Sequence, residues 1–132
     1  MFDEKYKYYK LSSREKKAVI KRIRETLEAE NIPLALLFGS FIELSSFRDI
    51  DIAVYLKGPN LDHLLKLASR LEETIGYPVD LIPLNTASST LKHYILTKGL
   101  VILEKHAGLY EALLSQTLDK LRALKQPTIP KH

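Results

Sequence analysis

Apolar side chains recur every three or four residues in several stretches of the chain, which is the spacing of an amphipathic helix. The first helix is predicted to begin at Ser12 and Glu15, which match a capping box, and to end near Asn31–Pro33. A second follows the turn Gly58–Asn60 and ends at Gly76, the residue type expected at a helix C-terminus. Two further helices are predicted at Ala87–Lys98 and Gly108–Leu124.

Shorter apolar or alternating runs between these helices predict strands. Leu34–Phe38 is a continuous apolar run, too short for a helix, that Gly39 closes. Ile50–Leu56 alternates, so that its isoleucines face one side and Asp51 faces the other, more open side. Two more strands are predicted at Pro78–Leu84 and Leu100–Glu104. The order α-β-β-α-β-α-β-α predicts an α/β (α+β) fold in which helices flank a small mixed sheet.

Composition narrows the class of protein. The 132 residues include 20 Lys and Arg, 16 Asp and Glu, and no cysteine, which excludes disulfide scaffolds, thiolate zinc sites and thiol nucleophiles. This length suits one domain, and we expect a core over residues 12–126, an N-terminal arm at 1–11 and a C-terminal tail at 127–132. We expect a cytoplasmic protein, because the N-terminus has no apolar signal region and no run is long enough to span a membrane.

The N-terminal arm interleaves lysines with Tyr6, Tyr8 and Tyr9. Such an arm can stack on the bases and contact the phosphates of single-stranded nucleic acid. Alternatively, its tyrosines pack on the domain while its lysines stay in water. We favour packing, because no other nucleic-acid motif accompanies the arm.

Candidate chemistry is concentrated where three predicted strands carry polar residues. Gly39 and Ser40 end one strand, where the backbone and a hydroxyl can approach phosphate oxygens. Asp49 and Asp51 begin the next strand and project to the same side, an arrangement suited to a pair of divalent cations. Asp80 interrupts a third apolar run and is the natural third carboxylate, as a metal ligand or as the base for an attacking hydroxyl.

The sequence resembles the DNA polymerase beta-like nucleotidyltransferases, and within them the minimal nucleotidyltransferase (MNT) subgroup. The resemblance is carried by Leu37–Phe41, by Asp49–Val54, by Pro78–Asn85 around the third carboxylate, and by Leu91–Glu104. It extends from about Leu34 to the final helix and implies a nucleotidyltransferase fold.

The resemblance also implies an activity. Gly39 and Ser40 would lie at the triphosphate of ATP, and Asp49, Asp51 and Asp80 would bind two Mg²⁺ ions. Minimal members commonly act as antitoxins of the MntA type, which transfer AMP from ATP to a tyrosine of a small helical HEPN-domain RNase toxin. The resemblance therefore implies Mg²⁺ as cofactor, ATP as substrate and a HEPN-family toxin as partner.

The connection between Ser40 and Asp49 departs from the family pattern. Its eight residues make it shorter than is usual, and Ile42–Phe47 contains neither the usual basic residue nor the usual glycine turn. Arg48 stands where a serine usually precedes the first aspartate, and we expect it to supply the phosphate contact or else to pair with a carboxylate. Two alternatives follow: an inactive module that neutralises a partner by occlusion, or a transferase that modifies nucleic acid.

Overall fold

A computed structural model describes residues 7–58 and 60–125. The predicted C-terminal tail at 127–132, Tyr6 of the N-terminal arm and Pro59 of the predicted turn lie outside the described residues. No helix in the described part of the chain combines the length and the apolar character that a membrane crossing needs.

Helices and strands alternate along most of the chain. Among the described residues the helices are α1 (Ser13–Ala29), α2 (Ser40–Glu43), α3 (Leu61–Ile75), α4 (Ser89–Lys98) and α5 (Leu109–Lys125). The strands of the same part of the chain are β1 (Tyr9–Lys10), β2 (Leu34–Phe38), β3 (Ser46–Phe47), β4 (Ile50–Tyr55), β5 (Val79–Pro83) and β6 (Leu100–Glu104). A 3₁₀ turn at Leu84–Thr86 follows β5.

The main sheet is mixed and has the strand order β5-β4-β2-β6. β2 runs antiparallel to β4 and to β6, whereas β4 and β5 are parallel. As a result, the end of β2 lies beside the beginnings of β4 and β5. At this end of the sheet Phe38 pairs with Asp51, and Asp51 pairs with Asp80. The predicted fold class is confirmed, and this end of the sheet carries the predicted carboxylates.

Helices cover both faces of the sheet. One face of β2 and β4 packs against α1 and α3, with Ile23, Leu37 and Ile52 fully buried. The opposite face packs against α4 and α5 and includes Leu36, Ala53 and Ile95. β4 alternates as predicted, but its second face is covered by helices in the middle, at Ala53, and opens at its two ends, at Asp51 and Tyr55.

The predicted helices and strands are confirmed with small shifts at their ends. Ser12 and Glu15 form the predicted capping box, and Gly76 ends α3 in the left-handed conformation. The prediction that α4 starts at Ala87 is wrong by two residues, because the Ser88 side chain accepts a hydrogen bond from the Leu91 amide and caps the helix. Three short elements were not predicted, namely α2 and the antiparallel pair of β1 with β3.

Pairing of β1 with β3 holds the described part of the N-terminal arm against the domain. Tyr9 pairs with Phe47, and its ring centroid lies 5.6 Å from the Phe47 ring and 5.0 Å from the Tyr77 ring. Packing of this tyrosine on the domain is therefore confirmed. Tyr8, in contrast, is 62% exposed.

Candidate active site

Gly39 forms the turn between β2 and α2 in a backbone conformation that is essentially restricted to glycine, with φ 79° and ψ −157°. The Asp51 carboxylate fills the space where a side chain at residue 39 would begin. A Cβ on Gly39 would overlap Oδ2 of Asp51 and lie 3.2 Å from its Cγ. Glycine is thus required both by the backbone angles and by the close approach of the carboxylate.

The three aspartates lie at the same end of the sheet, where β2 ends and β4 and β5 begin. Asp51 is half-buried in β4, and its Cα pairs with that of Asp80 in β5. Asp49 precedes β4, where the Ile50 amide donates a hydrogen bond to the Pro78 carbonyl oxygen, 2.9 Å away, and ties the two strand starts together. Asp80 is exposed. The structure therefore brings together the carboxylates that the sequence singled out.

Burial and charge repulsion act on Asp51. Its pKa is raised from 3.8 to about 6, first by burial and then by the negative charges of Asp80 and Asp49. Two like charges near a half-buried carboxylate favour its protonated form unless a cation is present. This end of the sheet therefore attracts a positively charged ligand.

A cavity of about 200 Å³ opens beside these carboxylates. Its walls are formed by the residue before β1, by α2 with the segment that follows it and β3, and by the start of β4. The lining residues are Tyr8, Ser40, Leu44, Ser46, Phe47, Arg48, Asp49 and Asp51. Four of the six predicted site residues thus line one cavity, Gly39 touches Asp51 beside it, and Asp80 lies on the neighbouring strand.

Arg48 is exposed on the cavity wall. Within residues 7–58 and 60–125 it forms no ion pair with a carboxylate within 4.0 Å. Its guanidinium group is therefore available to an anionic ligand, as the prediction of a phosphate contact requires.

Lys16, which the sequence did not single out, fixes the cavity wall from α1. Its Nζ donates hydrogen bonds to the carbonyl oxygens of Phe41 (2.8 Å) and Leu44 (3.1 Å), and it lies 5.2 Å from the Phe41 ring centroid. A single ammonium group thus satisfies the carbonyl end of the short α2 helix, which begins with Ser40. No local sequence signal marks this role, because Lys16 and Phe41 are 25 residues apart.

Tyr94 approaches the same segment from α4 and was also missed. Its hydroxyl donates a hydrogen bond to the Glu43 carboxylate, and its ring packs edge-on against Phe38 with centroids 6.1 Å apart. The pKa of Tyr94 is raised, mainly by the hydrogen bond to Glu43, with smaller contributions from burial and from the charges of Glu43 and Asp51. Tyr94 therefore links α4 to α2 close to the carboxylates.

The carboxylate cluster fits a metal ion that arrives with a phosphate ligand. In the described ranges 7–58 and 60–125, no three His, Asp or Glu side chains converge closely enough to hold an ion by themselves. Mg²⁺ usually keeps several waters and uses one or two carboxylates together with substrate phosphates, so it does not need such a cage. Asp51 with Asp49 and Asp80 around it supplies the hard oxygen donors and the negative charge that Mg²⁺ requires.

Comparison with known proteins agrees with a nucleotide-binding site at these carboxylates. The family described as "Polymerase beta, Nucleotidyltransferase" matches residues 21–107. The protein adenylyltransferase MntA of Shewanella oneidensis is 35% identical over 85 residues, covering 61% of this chain and 59% of that protein. The match therefore spans about three fifths of the length of that curated relative.

Several solved structures with a similar fold are toxin–antitoxin complexes. A crystal structure of a toxin–antitoxin with AMP-PNP has a TM-score of 0.72 at 26% identity, covering 80% of this chain and 89% of the matched one. A tri-AMPylated Shewanella oneidensis HEPN toxin in complex with MNT antitoxin has a TM-score of 0.71 at 25% identity, covering 83% and 89%. Both similarities extend over most of the two chains compared.

Proposed function

This chain belongs to the polymerase beta nucleotidyltransferase family, and we propose that it transfers AMP from ATP to a hydroxyl group of a partner protein. The observation that carries the proposal is the cavity that Ser40 and Arg48 line together with Asp49 and Asp51. Nucleotidyl transfer needs hydrogen-bond donors for the phosphates close to carboxylates that can bind metal ions, and this cavity has both kinds of group.

The residues divide between two tasks. Asp49, Asp51 and Asp80 would hold two Mg²⁺ ions, which would neutralise the charge that develops on the phosphates. Gly39 lets the chain approach closely, and Ser40 and Arg48 contact the triphosphate with a hydroxyl and a guanidinium group. The exposed carboxylate of Asp80 is available to take the proton of the acceptor hydroxyl.

The transfer breaks one phosphoanhydride bond and forms one phosphoester bond. The acceptor oxygen attacks the α-phosphorus of ATP, and the bond from that phosphorus to the pyrophosphate oxygen breaks. The acceptor proton passes to Asp80 and pyrophosphate leaves. The chain contributes by holding the two reactants in line and by stabilising the charge of the transition state, the two effects that dominate catalysis in reactions of this class.

We propose a HEPN-family toxin as the partner and a tyrosine as its acceptor, with the cytoplasm, where ATP is present, as the location. The support is the similarity to MntA and to a complex that contains a tri-AMPylated HEPN toxin. In this pairing the chain acts as the antitoxin, and transfer of AMP blocks the toxin.

Intact-mass spectrometry of the protein mixed with its neighbouring HEPN-domain gene product tests the proposal. With Mg²⁺ and ATP, the partner gains the mass of one or more AMP groups and its RNase activity falls. Asp51→Asn, which keeps the side-chain shape, abolishes both changes, whereas Asp62→Asn on the exposed start of α3 leaves them intact. An unmodified partner that the Asp51→Asn protein still neutralises would instead identify an inactive module that acts by occlusion.

A further inference from the structure

The short antiparallel pair of β1 with β3 has two different faces. Tyr9 and Phe47 pair across it and turn inward, where Phe47 is buried and Tyr9 packs on Tyr77. Because side chains alternate along a strand and paired residues share a face, their neighbours turn outward. We call this outward side the ribbon face; it consists of Tyr8, Lys10, Ser46 and Arg48.

The ribbon face continues into the carboxylate cavity. Three of its residues, Tyr8, Ser46 and Arg48, line that cavity together with Ser40 and Asp51. Lys10 is exposed and pairs directly with Ser46, which places it at the outer rim. The cavity is thus open toward a surface made by the N-terminal strand.

The chemistry of this face suits an anion. It presents two cations and two hydroxyl groups, whereas the segment 41–47, between Ser40 and Arg48, contains no Lys or Arg. Among the described residues, neither Lys10 nor Arg48 has a carboxylate within 4.0 Å. Lysine and arginine without acidic partners, next to hydroxyl donors, are suited to bind phosphate oxygens.

We propose that the ribbon face binds the β- and γ-phosphates of the nucleotide, which leave as pyrophosphate. This proposal rests on the proposed function, which puts the α-phosphate at Asp49 and Asp51, where the metal ions act. The part of the ligand that extends from there over Arg48 toward Lys10 must then carry negative charge. The N-terminal strand thereby supplies a cation and a hydroxyl that segment 41–47 does not provide.

Nucleotide affinities of the original protein and of its Lys10→Ala, Tyr8→Phe, Tyr8→Ala and Lys7→Ala variants test this assignment by calorimetry in the presence of Mg²⁺. Lys10→Ala is expected to weaken ATP binding about three- to tenfold, and Tyr8→Phe about two- to threefold. AMP binding should be unchanged in both variants, because AMP has no phosphates beyond the first. Lys7→Ala, two residues before β1, is the matched control. The Lys7 Nζ lies 5.3 Å from the Tyr9 ring, on the inward face, so its removal leaves both affinities within about twofold of the original protein.

Each other pattern overturns the assignment. If Lys10→Ala weakens the binding of ATP and AMP equally, or weakens ATP binding no more than Lys7→Ala does, the ribbon face does not bind the terminal phosphates. If Tyr8→Phe is neutral while Tyr8→Ala weakens AMP and ATP alike, the face binds the base instead. Failure of the proposed function looks different: ATP binds in the Lys10-dependent way, but no AMP reaches the partner.

Discussion

Replacing Gly39 with alanine tests how closely Asp51 approaches the end of β2. The backbone angles at Gly39, φ 79° and ψ −157°, lie in a region that costs other residues about 1–3 kcal/mol. The added methyl group would also overlap Oδ2 of Asp51, and overpacking of this kind costs about 1–3 kcal/mol. Together these terms predict that Gly39→Ala lowers the free energy of unfolding by about 2–6 kcal/mol.

Gly76→Ala provides the matched control. Gly76 also has a positive φ, 81°, but it lies at the end of α3 with nothing within 4 Å of a new Cβ. Its replacement is expected to cost about 1–2 kcal/mol, the usual penalty of a left-handed conformation. Urea denaturation of both variants measures the difference directly.

A double-mutant cycle with Asp51→Ala isolates the contact itself. Removing the Asp51 carboxylate gives the methyl group room, because the remaining Cβ of residue 51 is 3.5 Å away. The loss caused by Gly39→Ala should therefore shrink by about 1–3 kcal/mol in the Asp51→Ala background. Equal losses in the two backgrounds, or a loss no larger than that of Gly76→Ala, would refute the close contact between Gly39 and Asp51.

Three further predictions concern the surroundings of the cavity. The pKa of Asp51, raised from 3.8 to about 6, means that the unfolded chain releases this proton first as pH rises, so stability falls between pH 4 and 6 and stays lower above. After allowance for its partial exposure we expect about 1–2 kcal/mol between pH 4 and 7 without Mg²⁺. Parallel pH profiles of the original protein and Asp51→Asn would contradict this. Lys16→Met removes two hydrogen bonds to the α2 segment and should cost about 1–2 kcal/mol in urea denaturation, whereas Lys17→Met, on the exposed side of α1, should cost less than about 0.5. Equal costs would remove Lys16 from this role. Glu43→Gln should lower the raised pKa of Tyr94 toward 10.0, which an NMR titration of its ring measures. An unchanged pKa would mean that Glu43 is not the cause of the rise.

The sequence predicted the elements that repeat a simple period. The helix of Ser13–Ala29 follows from its cap and its apolar stripe, and β4 follows from alternation. The aspartates could be singled out because each interrupts an apolar strand, where a charge needs a partner. They lie close together at one end of the sheet because Phe38 pairs with Asp51 and Asp51 pairs with Asp80.

Elements held by distant contacts could not be predicted in the same way. A strand of two residues such as β1 has no measurable period, and its pairing joins Tyr9 to Phe47 across α1, β2 and α2. Lys16 and Tyr94 reach the α2 segment across separations of 25 and 51 residues. Single-sequence patterns contain no information on such contacts, which depend on how the helices pack on the sheet.

The most direct test of the account follows the two ends of ATP separately. The protein is incubated with Mg²⁺, its HEPN-domain partner, and ATP labelled either at the α- or at the γ-phosphate. The account predicts that label from the α-phosphate becomes covalently attached to the partner, that label from the γ-phosphate leaves as pyrophosphate, and that Asp51→Asn prevents both. Transfer of the γ-label to the partner, or attachment of the α-label that persists in Asp51→Asn, would contradict nucleotidyl transfer at this site.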